Sequence, residues 1–524
     1  MEDSSRDNPM RSAVYFSKNK QQAPQDLNVQ NEPLLPHSPL ESSDLTDAAQ
    51  NYGGVEDECA EDDAESFIIS TDDIVPRNKR ADHPTSNFQA FLHLVKGNLG
   101  TGLLALPFAI SKVGYIFGPV LMIILGMIAL HCMLLLVKCS HALCYRFDKI
   151  TLDYGQVAEV AFWEFRFKKK IGPYTINQFK AGYIAKGVVN LFLIFTQFGF
   201  CSVYFVFMGS NLQQVFNACG LELDDRVWIL ILIPMVAIFC WIRNLDALAP
   251  LSAVANLCII FGLVVILYYC TYLIGEGKAA ANGRDGGVDA IVLGGTAIPV
   301  FFGNAVYAFE GIGVVLPLEN KMKNPSSFKW VVSIAMVMIT LLYAGFSTLG
   351  YLAFGADKIE DSITLNLPKD KDLHSVVYHI TKLYLSYAIF VTYLVQFYVP
   401  MDFLEPTRFR SKTLKCDTTG KPKRTYLGQI VFRTILVVVT GVLAIAIPKL
   451  DLFISLIGAF SSSTLAIIFP PILQILVFYR ANEPGWLKAW WICKSTAIII
   501  IGLLGFITGT YVSVKNIVDY VSGE

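Results

Sequence analysis

From about residue 88 the chain runs as a series of long apolar stretches divided by short polar joints. A hydrocarbon core about 30 Å thick takes roughly 20 helical residues to cross. Eleven stretches approach or exceed that length: 88–110, 115–137, 183–208, 227–241, 247–274, 290–316, 330–354, 376–400, 427–447, 450–479 and 489–514, the fourth being short. This pattern predicts an all-α polytopic membrane protein of eleven transmembrane helices, with a membrane domain over 86–514 and a short C-terminal tail at 515–524. Residues 1–85 differ in kind. Acidic runs such as Glu56-Asp57-Glu58 and Glu61-Asp62-Asp63 are mixed there with Ser, Pro, Asn and Gln, which predicts a disordered acidic tail. The tail lacks the basic start and apolar stretch of a cleavable signal peptide, so the first apolar stretch directs insertion and the tail stays in the cytosol.

Composition agrees with a bilayer as solvent, since 54% of the 524 residues are hydrophobic and only 16% charged, too apolar a balance for soluble domains of ordinary size. A formal net charge of −1, with Lys and Arg in separate clusters, argues against nucleic acid as a partner. Most of the 11 cysteines, such as Cys132, Cys201 and Cys258, fall in apolar runs and behave there as small hydrophobes. The basic clusters set orientation, because cytosolic loops carry the excess of Lys and Arg. Lys168, Lys169 and Lys170 follow the second stretch, Arg408, Arg410, Lys412 and Lys415 follow the eighth, and Arg77, Lys79 and Arg80 precede the first. With eleven spans the N-terminus is cytosolic and the C-terminus extracellular or lumenal.

Two stretches are interrupted. The first contains Lys96-Gly97-Asn98-Leu99-Gly100-Thr101-Gly102, and the sixth contains Gly303-Asn304-Ala305-Val306-Tyr307-Ala308-Phe309-Glu310-Gly311-Ile312-Gly313 followed by Pro317. Each glycine in a helix interior costs about 1 kcal/mol relative to alanine. Irregular backbone at membrane depth is tolerated only where protein or a watery cavity satisfies it, so broken helices predict a cavity. Breaks in positions one and six imply two inverted five-helix repeats plus one extra helix, with a site at the repeat interface near the midplane. Such a site suits an amino acid zwitterion. N–H groups opening the half-helix near Gly102 can hold a carboxylate, and free carbonyls near Tyr307 and Phe309 can take the ammonium. Close helix packing is the alternative reading of each glycine cluster. A nucleotide loop is not, because Gly97 to Gly102 lacks a following Lys-Ser or Lys-Thr.

Two ionisable side chains stand out. His93 lies about one turn before the first break, and His changes charge nearest physiological pH; it is the first candidate for a transported proton, against a histidine with no coupling role at the cytosolic end. Glu310 is the acid at the sixth-stretch break; intramembrane carboxylates default to a functional role, and this one either holds the proton or ties the unwound backbone. Gly97, Asn98, Gly100, Thr101, Gly102, Asn304, Tyr307, Phe309, Gly311 and Gly313 form the candidate substrate-binding set. The run Ser461-Ser462-Ser463-Thr464 meets either the cavity or neighbouring helices, with packing preferred. No spacing suggests a metal cluster, a cofactor or an enzyme's nucleophile and base.

At His93-Leu94-Val95-Lys96-Gly97-Asn98-Leu99-Gly100-Thr101-Gly102-Leu103-Leu104-Ala105-Leu106-Pro107, Phe309-Glu310-Gly311-Ile312-Gly313-Val314-Val315-Leu316-Pro317-Leu318-Glu319-Asn320 and Ser362-Ile363-Thr364-Leu365-Asn366-Leu367-Pro368 the sequence resembles the proton-coupled amino acid transporters of the amino acid/auxin permease superfamily. The resemblance covers nearly everything after the tail. It implies a relative of the sodium-coupled amino acid transporter fold, alternating access, and symport of a proton with a small neutral amino acid such as glycine, alanine or proline, tryptophan being taken by some members. It also implies that His93 is the proton-coupling histidine. Some members are nutrient sensors, so the alternative function is a membrane-embedded amino acid sensor that recruits cytosolic signalling partners through the tail. External-loop disulfides occur in the family; here Cys219 has only Cys270 as a conceivable partner. Glu32-Pro33-Leu34-Leu35 and Tyr52-Gly53-Gly54-Val55 resemble sorting signals, which keeps an endosomal or lysosomal membrane beside the plasma membrane.

The orientation is testable because the external loops carry no Asn-x-Ser/Thr acceptor. An acceptor engineered at 357–372 is expected to be glycosylated in a eukaryotic cell, and the same acceptor at 411–421 is not. A glycosidase-sensitive band shift from the second insertion instead of the first would invert the topology.

Overall fold

The computed structural model describes residues 15–16, 67–68, 85–147, 149–167, 175–242, 249–280, 287–369, 375–404, 425–447, 449–479 and 484–523. Most of 1–85 and the basic 405–424 loop, with the proposed sorting signals, lie outside them. Tyr15–Phe16 and Phe67–Ile68 pair as a two-residue antiparallel ladder; the other regular elements among the described residues are helices. The helices are α1 (Asn87–Asn98), α2 (Thr101–Val113), α3 (Phe117–Arg146), α4 (Tyr154–Phe167), α5 (Thr175–Ala218), α6 (Asp225–Cys240), α7 (Ala249–Gly275), α8 (Ala297–Ala308), α9 (Ile312–Lys321), α10 (Phe328–Lys358), α11 (Val376–Leu404), α12 (Thr425–Ala446), α13 (Leu450–Ile457), α14 (Phe469–Phe478) and α15 (Gly485–Ser522). Between α13 and α14 the chain winds as two π-helical segments, Gly458–Ser462 and Thr464–Ile468.

Among the described residues nine helical segments are long and apolar enough to cross a membrane, and the bent pair α1–α2 makes ten. The expected fourth span is α6, whose 16 residues reach only about 24 Å; the count of eleven holds only if it is included. Its end is held by Arg433 of α12, whose guanidinium donates to the carbonyls of Cys240 (3.0 Å) and Ile242 (3.3 Å). Two features went unanticipated. The polar stretch after α3 contains α4, which begins at a capping box where Asp153 accepts from the Gln156 N–H at 2.7 Å and Gln156 accepts from the Asp153 N–H at 3.0 Å. The last helix also continues through most of the stretch expected to be a tail, to Ser522.

Burial sorts the helices. The apolar windows of α7, α12 and α15 are 28%, 33% and 33% buried, whereas those of α8–α9 and α13–α14 are 72% and 78% buried. The outer helices thus present Leu, Ile and Val to lipid, while the interrupted α8–α9 span and the π-wound span of α13 and α14 sit inside, as a medium without hydrogen-bond partners demands.

Backbone hydrogen bonds tie the two broken spans at both ends. On one side the Thr85 N–H donates to Lys321 O at 2.9 Å and the Lys323 N–H donates to Thr85 O at 2.9 Å, joining the start of α1 to the end of α9. On the other, the Tyr115 N–H donates to Asp289 O at 3.0 Å and the Val292 N–H to Val113 O at 3.0 Å, joining the end of α2 to the segment before α8. The spans α1–α2 and α8–α9 therefore run antiparallel side by side, as inverted repeats require. The free thiols Cys219 and Cys270 are exposed and buried respectively.

Close approach of α8 to span ten depends on two glycines. A Cβ on Gly303 would press on the Ser455 carbonyl and lie 2.9 Å from its Oγ, and one on Gly458 would overlap the Gly303 carbonyl. Gly303→Ala is expected to destabilise the purified protein by about 1–3 kcal/mol through overpacking, read as a lower thermal midpoint in detergent. An unchanged midpoint would show that α8 has room to move.

Candidate functional site

The first break is two residues long. Helix α1 ends at Asn98, Leu99 and Gly100 are extended, and α2 resumes at Thr101 with its axis turned by 51°. In the second, α8 ends at Ala308 and α9 resumes at Ile312 after Phe309, Glu310 and Gly311. Gly100 and Gly311 occupy the N-cap positions, and neither α2 nor α9 has a side-chain cap, so their first N–H groups are left for a ligand or water.

The ends are interleaved. A Cβ on Gly102, at the start of α2, would fall 2.8 Å from the Cα of Ala308 at the end of α8, so only glycine permits that contact. Asn98, at the end of α1, lies against Gly311 at the start of α9, with Nδ2 3.6 Å from where a Cβ would stand. Each carbonyl-rich, negative helix end thus neighbours an N–H-rich, positive start. Tyr343 of α10, with 0% exposure, bridges the two negative ends: its hydroxyl is in hydrogen-bonding contact with the carbonyl of Asn98 and, at 2.9 Å, that of Ala308. The Phe309 ring packs beside it with centroids 5.1 Å apart.

Around this junction several polar groups are buried and only part-satisfied. Thr101 Oγ1 and the Tyr307 hydroxyl share a hydrogen bond of 3.0 Å, and the Tyr307 ring meets Phe200 of α5 edge-on at 4.7 Å. Asn98 Nδ2 donates to Leu94 O and Asn304 Nδ2 to Val300 O, each at 2.9 Å, leaving both Oδ1 atoms without a donor. Glu310 is 7% exposed and its Oε2 has no hydrogen-bond partner. Among the described residues no Lys or Arg forms an ion pair with it. Ser462, on the first π segment, stands close to Glu310, and its hydroxyl is also unpartnered. π-helical turns at functional positions are a recurrent device. Ser461 turns the other way, onto the Thr196 hydroxyl at 2.6 Å and the Phe192 carbonyl at 2.9 Å.

The structure therefore brings together Asn98, Thr101, Gly102, Asn304, Tyr307, Phe309, Glu310 and Gly311 of the expected set. Gly100 lies in the first break with open space at its Cβ position, and Gly313 lies one residue into α9 against Leu193. His93 and Gly97 are exposed and flank the buried face of α1 formed by Ala90, Leu94 and Asn98. Lys96 and Lys321 are close enough to His93 to act on it electrostatically. Tyr343 and Phe200 were not foreseen, and with 23 tyrosines and 36 phenylalanines in the chain no local signal marks them. A cavity of about 450 Å³ elsewhere, lined by residues including Asn211, Glu360, Asp361 and Lys449, shares none with the breaks.

The family described as "Transmembrane amino acid transporter protein" matches residues 83–515, which include both breaks and all but the end of the last helix. The chain belongs to this family. Among curated relatives of this transmembrane amino acid transporter, the proton-coupled amino acid transporter-like protein pathetic of Drosophila melanogaster is 35% identical over 447 residues, covering 84% of this chain and 87% of that one. The amino acid transporter AVT3C of Arabidopsis thaliana is 27% identical over 468 residues, with 84% and 95% covered. Similar solved structures include MhsT in complex with L-phenylalanine (TM-score 0.47, 12% identity, 82% of this chain and 100% of that one) and inward-facing Mhp1 (0.47, 12%, 84% and 91%).

Gly102 tests the junction. Gly102→Val places bulk against the Ala308 backbone and should separate α2 from α8, lowering amino acid binding at least about tenfold together with a destabilisation on the order of 1–3 kcal/mol. Isothermal titration and thermal unfolding of the same preparation check both, and unaltered binding would remove the junction from the site.

Proposed function

We propose that this family member is a secondary active transporter that carries a small neutral amino acid, of the glycine, alanine and proline class with tryptophan as an outlier, together with a proton by alternating access. The observation that carries this reading is the interleaving of uncapped N–H starts at Thr101 and Ile312 with carbonyl ends at Asn98 and Ala308 in one buried place. One kind of end suits a carboxylate and the other an ammonium, and buried Asn98, Thr101, Asn304 and Glu310 stand beside the rings of Tyr307 and Phe309. The antiparallel strapping of the two broken spans supports rocking of one repeat against the other.

The proton is assigned to Glu310 or His93. Burial of Glu310 at the second break, with one oxygen unpartnered, supports the carboxyl, because taking up a proton removes its charge and adds a donor where Ser462 and free backbone groups await one. His93 faces outward from α1 and fits a place on the proton's path more than a place at the junction. The membrane is the plasma membrane or that of an endosome or lysosome, with the N-terminus in the cytosol.

The test is uptake of radiolabelled glycine, alanine, proline and tryptophan into proteoliposomes, with and without an inward proton gradient. Gradient-stimulated uptake is expected from the wild type, and Glu310→Gln is expected to abolish the stimulation while retaining binding. His93→Ala then divides the roles: retained stimulation assigns the proton to Glu310 alone, and lost stimulation places His93 on its path. Binding without uptake under either condition would leave a sensor in place of a transporter.

A further inference from the structure

Helix α14 packs against both α3 and α15, which scarcely touch each other, leaving a groove floored by α14 where α3 finishes and α15 begins. On α3 the exposed residues Val120, Ile124 and Met127 form one lipid-facing stripe at helical spacing, and half-buried His131 and Lys138 continue it toward that end. Lys138 Nζ lies over the Phe478 ring of α14, 4.9 Å from its centroid. From the other wall comes half-buried Lys494 of α15, close enough to Lys138 to act on it electrostatically. His131 is within electrostatic reach of both lysines, and its Nε2 is buried with no hydrogen-bond partner.

Nothing in these helices balances the charge. No Asp or Glu occurs in α3, in 452–478 or in α15 before Asp519. Arg146, nearer the end of α3, is paired with Glu164 at 2.7 Å, whereas Lys494 forms no ion pair among the described residues. A single lysine near a helix end is satisfied by reaching for water. Two that approach each other across a groove repel, and an anion between them turns the repulsion into two attractions. The depth says which anion. Trp486 and Trp490 of α15 are 75% and 65% exposed and mark the level of the lipid headgroups, and Lys494 stands about one turn, ~6 Å, deeper than Trp490.

We propose that Lys138 and Lys494 form a seat for the phosphate of an anionic phospholipid, drawn from the leaflet in which α3 ends and α15 begins. In the orientation read from the sequence that leaflet is the cytosolic one, where basic pockets between helices recognise such headgroups. The phosphate bridges the two walls of the groove, and the acyl chains run along the apolar stripe toward Met127. Lipid binding here is independent of what the protein transports.

The experiment places the full-length protein in nanodiscs of phosphatidylcholine and phosphatidylserine in equal parts and counts the lipids it retains by native mass spectrometry. The wild type is expected to retain phosphatidylserine over phosphatidylcholine on the order of twentyfold, the product of about fivefold for each lysine. Lys494→Gln is expected to leave about fivefold and Lys138→Gln with Lys494→Gln to bring the ratio to parity, while Lys494→Arg and, at the other end of α15, Lys515→Gln keep the wild-type ratio. Equal retention of the two lipids by the wild type would overturn the seat, as would a double variant that keeps the preference. Displacement of the retained lipid by soluble glycerophosphoserine would show a site for free phosphate and overturn the assignment to the membrane. Should the double variant not fold, the wild type and Lys494→Gln decide, since an unchanged ratio in the single variant is incompatible with a phosphate shared between the walls.

Discussion

The structure is organised around backbone that has no partner within its own helix. A membrane helix normally satisfies every N–H and C=O internally, and interruptions at Leu99–Gly100 and at Phe309–Gly311 withdraw that satisfaction at two places. Lipid offers nothing in exchange. The breaks must therefore face each other and be enclosed by protein, and the observed arrangement follows: α1–α2 beside α8–α9, antiparallel, hydrogen-bonded at both ends through Thr85 with Lys321 and Lys323, and through Tyr115 with Asp289. Helices α7, α12 and α15 take the lipid-facing positions, and α8–α9 with the π-wound span of α13 and α14 the interior.

Enclosure also makes the place chemically selective. A buried carbonyl or N–H without a partner is costly, and a ligand that supplies one gains what the empty protein lacks. Four helix ends meet, two of each polarity, with Gly102 and Gly311 allowing backbone to approach side chain and backbone. Orphan oxygens of Asn98, Asn304 and Glu310 extend the acceptor side. Tyr343 spans the negative ends with a single proton, so the empty junction is held together while most of its accepting capacity stays open. The π-helical turns of span ten serve the same economy: they let Gly458 close on Gly303 and set the Ser462 hydroxyl near Glu310.

Much of this was legible residue by residue. Long apolar runs mark spans because a bilayer imposes a fixed length, and Gly-rich interruptions within them mark breaks because an intact helix would be more stable. Helix α4 escaped notice because its sequence is only partly apolar and its helicity depends on packing against α5 and α14. The side of α1 to which His93 points was equally hidden. Proximity in sequence to the break suggested the site, yet the helix was already turned so that Asn98, Leu94 and Ala90 face inward.

What the sequence alone determined about this protein is therefore the solvent it lives in, its helical class and the two places where helices cannot continue, since each follows from local composition and from the length of a hydrocarbon core. The tertiary structure alone decided which free backbone groups meet. That Asn98 and Ala308, more than two hundred residues apart, share one tyrosine from a third helix, and that Glu310 faces Ser462 while His93 faces away, depends on helix rotation and crossing. Those are settled by how whole surfaces pack, and no single segment of the chain carries the information.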